Sequence, residues 1–231
     1  MRFYRFLSAL FLLFSLPIHS QFIVGWNGGY AFVPDLNKEI YIYNEINKSG
    51  LKKEMNLVHL NHGPAVGARI GGDLFYEFLY SWKGASVTSK FDSANVPMVR
   101  QLKVYQYSFN FGFGFRANGW TIGASFDFGR FRGKGRRGTE ANIKNIAFEK
   151  LWTDPNPFGL LSRIVPVHYT IFAEYKYKIF GFRPYVQFAA MKIDLGTLDY
   201  WLLGTYLNYG EFMQEKFVNC GMMVSIQIGK N

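Results

Sequence analysis

The chain has 231 residues, a formal net charge of +10 and a single cysteine, Cys220. One cysteine excludes an internal disulfide, and no apolar run after residue 20 reaches the ~18 residues that indicate a membrane-spanning helix. The positive charge predicts an anionic partner, which for an exported protein means lipid headgroups before nucleic acid.

The first 20 residues have the order of a secretory signal peptide. Arg2 and Arg5 precede an apolar run from Phe6 to Leu16, and Ser20 is a small residue at the expected cleavage site. We therefore expect residues 1–20 to be removed as a signal peptide. Residues 21–231 then form one exported domain.

The strongest structural signal is the alternation in YQYSFNFGFGF, from Tyr105 to Phe115. Every odd position is aromatic and every even position is small or polar. Successive side chains of a strand point to opposite faces, so the pattern predicts one aromatic face and one polar face. Asn118-Gly119 then gives the strongest two-residue hairpin signal. Folding there pairs residues whose numbers add to 237, such as Ala117 with Trp120, and both strands then agree on the apolar face.

Similar alternation marks six further strands, so the chain holds eight strands with one apolar face each. Tight turns at 71–73, 118–119 and 180–181 alternate with longer connections at about 35–63, 92–97, 139–166 and 195–216. The sequence therefore predicts an all-β fold, an eight-stranded antiparallel up-and-down barrel. The three tight turns lie at one end of this barrel. The four long loops lie at the other end.

Two kinds of eight-stranded barrel fit this period, a soluble calyx and a transmembrane barrel. A calyx is apolar inside, whereas a membrane barrel is apolar outside and polar inside. Six rings on one strand would overfill a small calyx, and the glycines of the opposite face suit a narrow interior. Short turns at one end and long loops at the other are also the outer-membrane arrangement. The sequence favours the transmembrane barrel.

On this pattern the chain resembles the outer-membrane β-barrel family, in its eight-stranded form typified by OmpA-like and OmpX-like porin-family proteins. The resemblance covers Phe22 to Gly229. It implies short periplasmic turns, four long extracellular loops and a place in the outer membrane of a Gram-negative bacterium. The last residues, Ile228 to Asn231, lack the terminal aromatic residue that such proteins often carry.

An eight-stranded barrel has room only for side chains, so we expect no open pore. Charged and polar residues on the inward face are expected to form a paired network in the lumen. That predicted network comprises Arg69, Glu77, Asn110, Arg116, Asp127, Glu174 and Lys176. A narrow gated channel stays open as an alternative.

Few residues suggest catalysis. His168 and Thr170 share a face, as do the histidine and hydroxyl of outer-membrane lipid A deacylases, but the predicted register turns them inward, away from lipid. His59 and His62 have metal-like spacing without a third ligand. We expect no enzyme, no metal and no cofactor, and keep a lipid-modifying enzyme as the alternative.

The segment RFRGKGRRG, from Arg130 to Gly138, is the most basic stretch of the chain. It ends the fifth strand and enters a long loop at the membrane edge, where lipopolysaccharide phosphates lie. The candidate lipopolysaccharide ligands are Arg130, Arg132, Lys134, Arg136 and Arg137. The alternative is a solvated loop.

Two long loops contain apolar residues. In the first loop, Ile40, Tyr41, Tyr43, Ile46 and Leu51 are predicted to form a short helix that caps the barrel mouth. The fourth loop carries Tyr200, Trp201, Leu202, Leu203, Tyr206 and Tyr209. These form either an interfacial lid or docking patch, or a cluster packed against the other loops. We expect a structural, adhesive or binding role at the cell surface, with outer-membrane lipid, lipopolysaccharide and a surface or envelope protein as partners.

Overall fold

The computed structural model describes residues 20–93, 96–153, 168–190, 192–195, 198–203 and 214–229. The strands are β1 (Ser20–Phe32), β2 (Leu51–Lys53), β3 (Leu60–Gly71), β4 (Leu74–Ser93), β5 (Val96–Ala117), β6 (Trp120–Thr139), β7 (Glu149–Thr153), β8 (His168–Tyr177), β9 (Phe180–Ala189), β10 (Ile193–Asp194), β11 (Gln214–Glu215) and β12 (Val218–Gly229). The helices are α1 (Pro34–Asn47), α2 (Leu198–Leu203) and a 3₁₀ turn at Ile143–Asn145. Within these residues no helix is long and apolar enough to cross a membrane.

Eight strands of the described chain close into a ring. The order around the ring is β1, β3, β4, β5, β6, β8, β9 and β12, and β12 pairs with β1 to complete it. Every neighbouring pair is antiparallel. Apart from the closing pair of β12 with β1, each pair consists of two ring strands that are consecutive in the sequence. The predicted eight-stranded antiparallel sheet is confirmed. Because the ring is closed, each of its strands is paired on both sides over the length that it shares with its neighbours.

The hairpin between β5 and β6 has the predicted register. Ala117 pairs with Trp120, and the same register continues without a shift to Met98 and Thr139. Asn118 and Gly119 have φ values of 51° and 79°. A type I′ turn needs positive φ at both central residues, which explains the Asn-Gly pair.

Two of the predicted connections are wrong. The turn expected at 180–181 lies two residues earlier, because Lys178 takes a φ of 57° and Tyr177 pairs with Phe180. A displacement by two keeps every side chain on its predicted face. The connection expected to be long at 92–97 is also short, since β4 and β5 stay paired up to Ser93 and Val96.

The ring is apolar outside and polar inside. Trp26 on the outer face is 53% exposed, whereas Arg69 on the inner face is 1% exposed. Exposed outward side chains include Tyr30, Val66, Tyr76, Tyr80, Phe109, Phe113, Ile122, Phe126, Ile171, Tyr175, Phe182, Val186, Val224 and Ile226. Buried inward side chains include Asn27, Glu77, Ser81, Lys83, Ser108, Asn110, Asp127, Thr170, Glu174, Arg183, Gln187, Asn219, Ser225 and Gln227. This polarity is the inverse of a soluble calyx.

Three ring strands continue far beyond their neighbours. Strands β4, β5 and β6 have 20, 22 and 20 residues, whereas β8 and β9 have 10 each. The extra length lies at the end away from the tight turns, which we call the long-loop end. There, residues 85–93, 96–104 and 128–139 form a projecting sheet, with β2 and β7 added at its two edges.

The projecting sheet is covered by a helical lid made of α1 and α2. Its apolar core includes Leu36, Ile40, Tyr43, Met55, Val87, Leu102, Val104, Phe131, Leu151, Leu195, Leu198, Trp201, Leu202 and Phe217. A helix is present where one was predicted, since α1 buries Ile40 and Tyr43 and exposes Tyr41 and Ile46, but Leu51, which was predicted to belong to it, starts β2. A core of this kind needs both layers, because neither helix can bury its apolar side alone.

The aromatic fourth loop contributes to this core. Trp201 and Leu202 are buried in it, and Leu203 packs against it half-buried. Packing against other loops is therefore the better interpretation for these residues, whereas Tyr200 is 50% exposed. Tyr206 and Tyr209 lie outside the described residues.

Candidate functional site

The lumen holds a buried ion quartet near the tight-turn end. Arg69 Nη1 donates to Glu174 Oε1 at 2.8 Å, and Arg69 Nη2 donates to Glu77 Oε2 at 2.8 Å. Arg183 Nη2 lies 2.6 Å from Glu77 Oε2 and 2.7 Å from Glu174 Oε2. The two guanidinium groups also stack on rings, Arg69 on Phe75 and Arg183 on Phe172. Two cations and two anions thus neutralise one another across the lumen.

A second polar layer is centred on Asp127. Its carboxylate accepts hydrogen bonds from Asn110 Nδ2 and Thr170 Oγ1, from Ser125 Oγ at 2.8 Å and from Gln187 Nε2 at 2.7 Å. Lys83 Nζ donates to Gln187 Oε1 at 3.1 Å, so one amide links a buried ammonium to a buried carboxylate. The hydrogen bonds to the Asp127 carboxyl oxygens therefore come from neutral side chains rather than from a direct ion pair.

The structure places the seven predicted lumen residues at three levels. Arg69, Glu77 and Glu174 belong to the quartet, and Asn110 and Asp127 belong to the second layer. Arg116 Nη2 donates to Gln21 Oε1 at 2.9 Å near the tight turns, and Lys176 is half-buried on the inward face of β8. Sequence reasoning left out three members, Arg183, Lys83 and Gln187, although their inward position follows from the same alternation.

At the long-loop end, aromatic rings separate the polar lumen from the lid core. The Phe131 and Phe217 centroids lie 4.7 Å apart, and the Phe217 ring meets the His168 ring edge-on at 5.7 Å. Side chains occupy the lumen at each level from the ion quartet to the lid, and between the two polar layers they leave a cavity of about 30 Å³ whose lining includes Glu77, Lys83 and Asn110. This arrangement has the form of a plug rather than that of a conduit.

The residues considered for catalysis are tied into the interior. His168 Nδ1 lies 3.2 Å from Gln106 Nε2, and Thr170 donates its hydroxyl to Asp127. Both side chains are buried in the lumen and point away from the outer face. They are therefore not positioned to meet a lipid ester from outside.

Two histidines at the start of β3, one just before the strand and one within it, stack on aromatic residues of β1. His59 stacks on Tyr30 with centroids 5.0 Å apart, and His62 stacks on Trp26 at 5.8 Å. In the described part of the chain, no three His, Cys, Asp or Glu side chains group closely enough to hold a metal ion.

The basic segment is a strand with two different faces. Arg130, Arg132 and Lys134 follow Phe126 and Phe128 along the outward face of β6. Arg136 shares that face, but its guanidinium donates to Gln101 Oε1 at 2.7 Å and to the carbonyls of Lys144 and Ile146. Arg137 pairs with Arg100, which places it on the opposite, lid-side face. The five candidates therefore do not form one site.

Cross-strand pairing adds two lysines that the sequence prediction missed. Lys103 of β5 pairs with Lys134 of β6, and Lys134 pairs with Lys150 of β7. The first pair was accessible from the sequence, because 103 and 134 add to 237. The second depends on the register shift between Gly133 and Lys134, which no sequence signal marks.

Two long-range contacts hold the lid. Arg100 donates to the Leu202 carbonyl at the end of α2, and its guanidinium stacks on Tyr43 of α1. Glu215 Oε2 accepts from the backbone N–H of Leu36, 2.9 Å away in the first turn of α1. The N-cap residue of α1 is Val33, which provides no side-chain acceptor, so Glu215 supplies the cap from another loop. Burial raises the pKa of the Glu215 carboxyl to about 7.

Comparison with known proteins gives a structural similarity but no sequence match. No protein-family model matches the chain, and no curated protein matches it. Among solved structures, the chain is similar to Ail, the attachment invasion locus protein of Yersinia pestis, in complex with the heparin analogue sucrose octasulfate. The match has 10% sequence identity and a TM-score of 0.45, and it covers 91% of this chain and 99% of Ail.

Proposed function

We propose that the chain is an integral outer-membrane β-barrel protein of a Gram-negative bacterium, with a structural, adhesive or binding role at the cell surface. The observation that carries this proposal is the inverted polarity of a closed ring. Apolar rings cover the outside, while a hydrogen-bonded ionic network fills the inside. Water on the outer face would leave this apolar surface unpartnered, whereas lipid solvates it.

The height of the apolar surface supports a membrane position. On β1 it runs from Phe22 to Phe32, and the ten steps between these residues, at ~3.4 Å each and tilted by about 45°, span roughly 24 Å. That length matches the ~25 Å apolar band of outer-membrane barrels. Aromatic pairs lie near the rims, with Trp120 on Tyr175 at the tight-turn end and Tyr105 on Tyr107 at the other.

The two ends of the ring differ in a way that suggests their orientation. Tight turns suit the periplasmic side, and the projecting sheet with its lid suits the outside. We propose export through a signal peptide at residues 1–20, with the barrel domain at 21–231. Both termini of the ring then lie on the periplasmic side.

A binding role at the lid end follows from how the interior is occupied. The ion quartet and the Phe131–Phe217 contact occupy the lumen at two levels, so transport through it has little structural basis. The largest elaborated surface is the projecting sheet and the lid. We propose outer-leaflet lipid, including lipopolysaccharide, and a surface or envelope protein as the partners of this end.

Cell fractionation combined with gel mobility tests the proposal. The protein is expected in the outer-membrane fraction, and unboiled samples in SDS should migrate differently from boiled ones, because closure pairs every ring strand. An affinity tag inserted between Ser93 and Val96 should be accessible to antibody on intact cells. A soluble periplasmic protein with identical boiled and unboiled mobility would refute the proposal.

A further inference from the structure

Three lysines form a row across neighbouring strands on the outward face of the projecting sheet. Lys103, Lys134 and Lys150 are paired in turn through the registers of β5, β6 and β7. Neighbouring strands lie about 4.8 Å apart, so the row places three lysines side by side across three strands. Like charges directly opposite each other destabilise a sheet unless an anion lies between them.

Further cations extend this row without any carboxylate to balance them. Arg130 and Arg132 precede Lys134 on the same face of β6. None of the ion pairs found in the described residues includes Arg130, Arg132 or any lysine of the row. The nearest acid along β7, Glu149, instead accepts from Trp201 Nε1. Among the residues that the structure describes, this face is therefore a cationic site without a paired acid.

The position of the site relates it to the membrane edge. Along the outward face of β6, Phe126 and Phe128 give way to cations at Arg130. The Arg132 guanidinium lies 5.0 Å from the Tyr107 ring centre, and Lys134 Nζ lies 5.7 Å from that of Tyr105. Tyr105 and Tyr107 form the rim of the outward aromatic surface at the long-loop end. Arg132 and Lys134 therefore lie at the level of the lipid headgroups.

A folded-back loop borders the site on its far side. Phe148 lies between Lys103 and Arg136, with its ring centre 4.3 Å from Lys103 Nζ and 4.4 Å from the Arg136 guanidinium carbon. Arg136 also holds this loop through the Ile146 carbonyl at 3.2 Å. Phe148 thus fixes the Lys103 side chain from above, and Arg136 acts as a positioning residue rather than a ligand.

We propose that Lys103, Lys134 and Lys150, together with Arg132, bind the headgroup of an outer-leaflet glycolipid that carries two or more phosphate groups. Phosphate oxygens between adjacent lysines replace ammonium–ammonium repulsion by charge-assisted hydrogen bonds. The guanidinium of Arg132 offers a bidentate contact at the lower edge of the row. This assignment rests on the proposed membrane position. It keeps Arg132 and Lys134 of the sequence-based set, leaves out Arg130, Arg136 and Arg137, and adds Lys103 and Lys150.

The test uses the full-length barrel refolded into phosphatidylcholine vesicles that contain bisphosphorylated lipid A. The variant Lys103→Gln/Lys134→Gln/Lys150→Gln removes the row. The control Lys38→Gln/Lys48→Gln/Lys53→Gln removes the same charge from exposed lysines of α1, its C-cap and β2. We expect the row variant to bind the lipid about 100-fold more weakly, with the control close to the parent. The affinity of the parent should fall as salt rises.

Parallel arms separate the possible anion sources. Dephosphorylated lipid A should bind poorly to the parent, and neither inorganic phosphate nor soluble heparin should compete at concentrations near that of the lipid. Equal lipid binding by the row variant and the parent would overturn the inference, and so would stronger binding of heparin than of the lipid. Failure of the parent to insert and to show heat-dependent mobility would instead refute the membrane proposal itself.

Discussion

Arg69 on β3 reaches across the lumen to Glu174 on β8, with 2.8 Å between Arg69 Nη1 and Glu174 Oε1. The two strands are not neighbours in the ring, so this contact joins opposite walls. Both side chains are fully buried, and each also contacts a further partner of the quartet. The interior is thereby cross-linked by charge, where a soluble calyx would be open and apolar.

Removing one charge from this quartet should destabilise the barrel strongly. Glu174→Gln leaves Arg69 and Arg183 with Glu77 as their remaining carboxylate in the quartet, and breaking a buried pair costs about 3–5 kcal/mol. Glu140→Gln is the matched control, because Glu140 pairs with Lys90 at the surface and exposed pairs contribute below ~1 kcal/mol. Urea unfolding in vesicles measures both. An equal loss of stability in Glu174→Gln and Glu140→Gln would show that the buried quartet stabilises the barrel no more than an exposed ion pair does.

The outer face predicts a depth-dependent response to charge. Phe111 lies in the middle of the aromatic belt, so Phe111→Arg should cost about 2–4 kcal/mol of barrel stability in lipid. Leu74→Arg places the same side chain on an outward, 75% exposed position at the tight-turn rim and should cost about 0–1 kcal/mol. Unfolding titrations in vesicles compare the two. A larger effect at Leu74 would contradict the assigned height of the membrane.

The lid depends on a glycine under a tryptophan. A Cβ at residue 135 would lie 2.5 Å from the Trp201 ring, so Gly135→Ala should displace α2 and increase protease cleavage at the long-loop end. Gly84→Ala is the control, since its Cβ would meet its nearest neighbour at 3.4 Å. Adding Trp201→Ala to Gly135→Ala should produce less damage than the two single effects combined, because both act on one contact. Additive effects would exclude that contact as the cause.

The lid should also loosen as pH rises. Burial raises the pKa of Glu215 from 4.5 to about 7, the negative charge of Asp35 adds to this rise, and the Leu36 N–H opposes it. The folded lid therefore favours the neutral acid. Its stabilising contribution is complete below about pH 4.5 and is lost as pH increases through about 7.

Hydrogen exchange of α1 measures this pH dependence. Opening of α1 should increase between pH 5 and pH 8 in the parent protein. Glu215→Gln keeps an oxygen that can accept from Leu36 but cannot ionise, so the change over this interval should become flat. An unchanged slope in Glu215→Gln would exclude Glu215 as the titrating group.

Alternation in the sequence was sufficient to predict the eight-stranded ring and which side chains of each strand point outward. It predicted the register from Ala117–Trp120 to Phe109–Phe128, because a slip by one residue would reverse both faces at once, and the structure continues this register to Met98–Thr139. It located the third tight turn two residues too late, since Lys178 adopts a left-handed conformation that the Phe180-Gly181 signal obscured.

Contacts made by distant segments were beyond the reach of sequence reasoning. The Glu215 cap joins residues 179 positions apart, and the lid core combines Leu36 with Leu198 and Phe217 through loops without periodic patterns. Lys150 joins the lysine row only because the β6–β7 register shifts beside it. Such pairings depend on how loops fold back onto a sheet, which local propensity does not encode.

Site-directed spin labelling along β5 tests the inverted polarity most directly. Single cysteines at each position from Tyr107 to Phe113, in a Cys220→Ser background, are labelled and examined in lipid vesicles. Odd positions should be accessible to oxygen dissolved in lipid and protected from a water-soluble nickel complex, and even positions should be protected from both reagents. Nickel accessibility with maxima at the odd positions would place that face in water and contradict the membrane barrel.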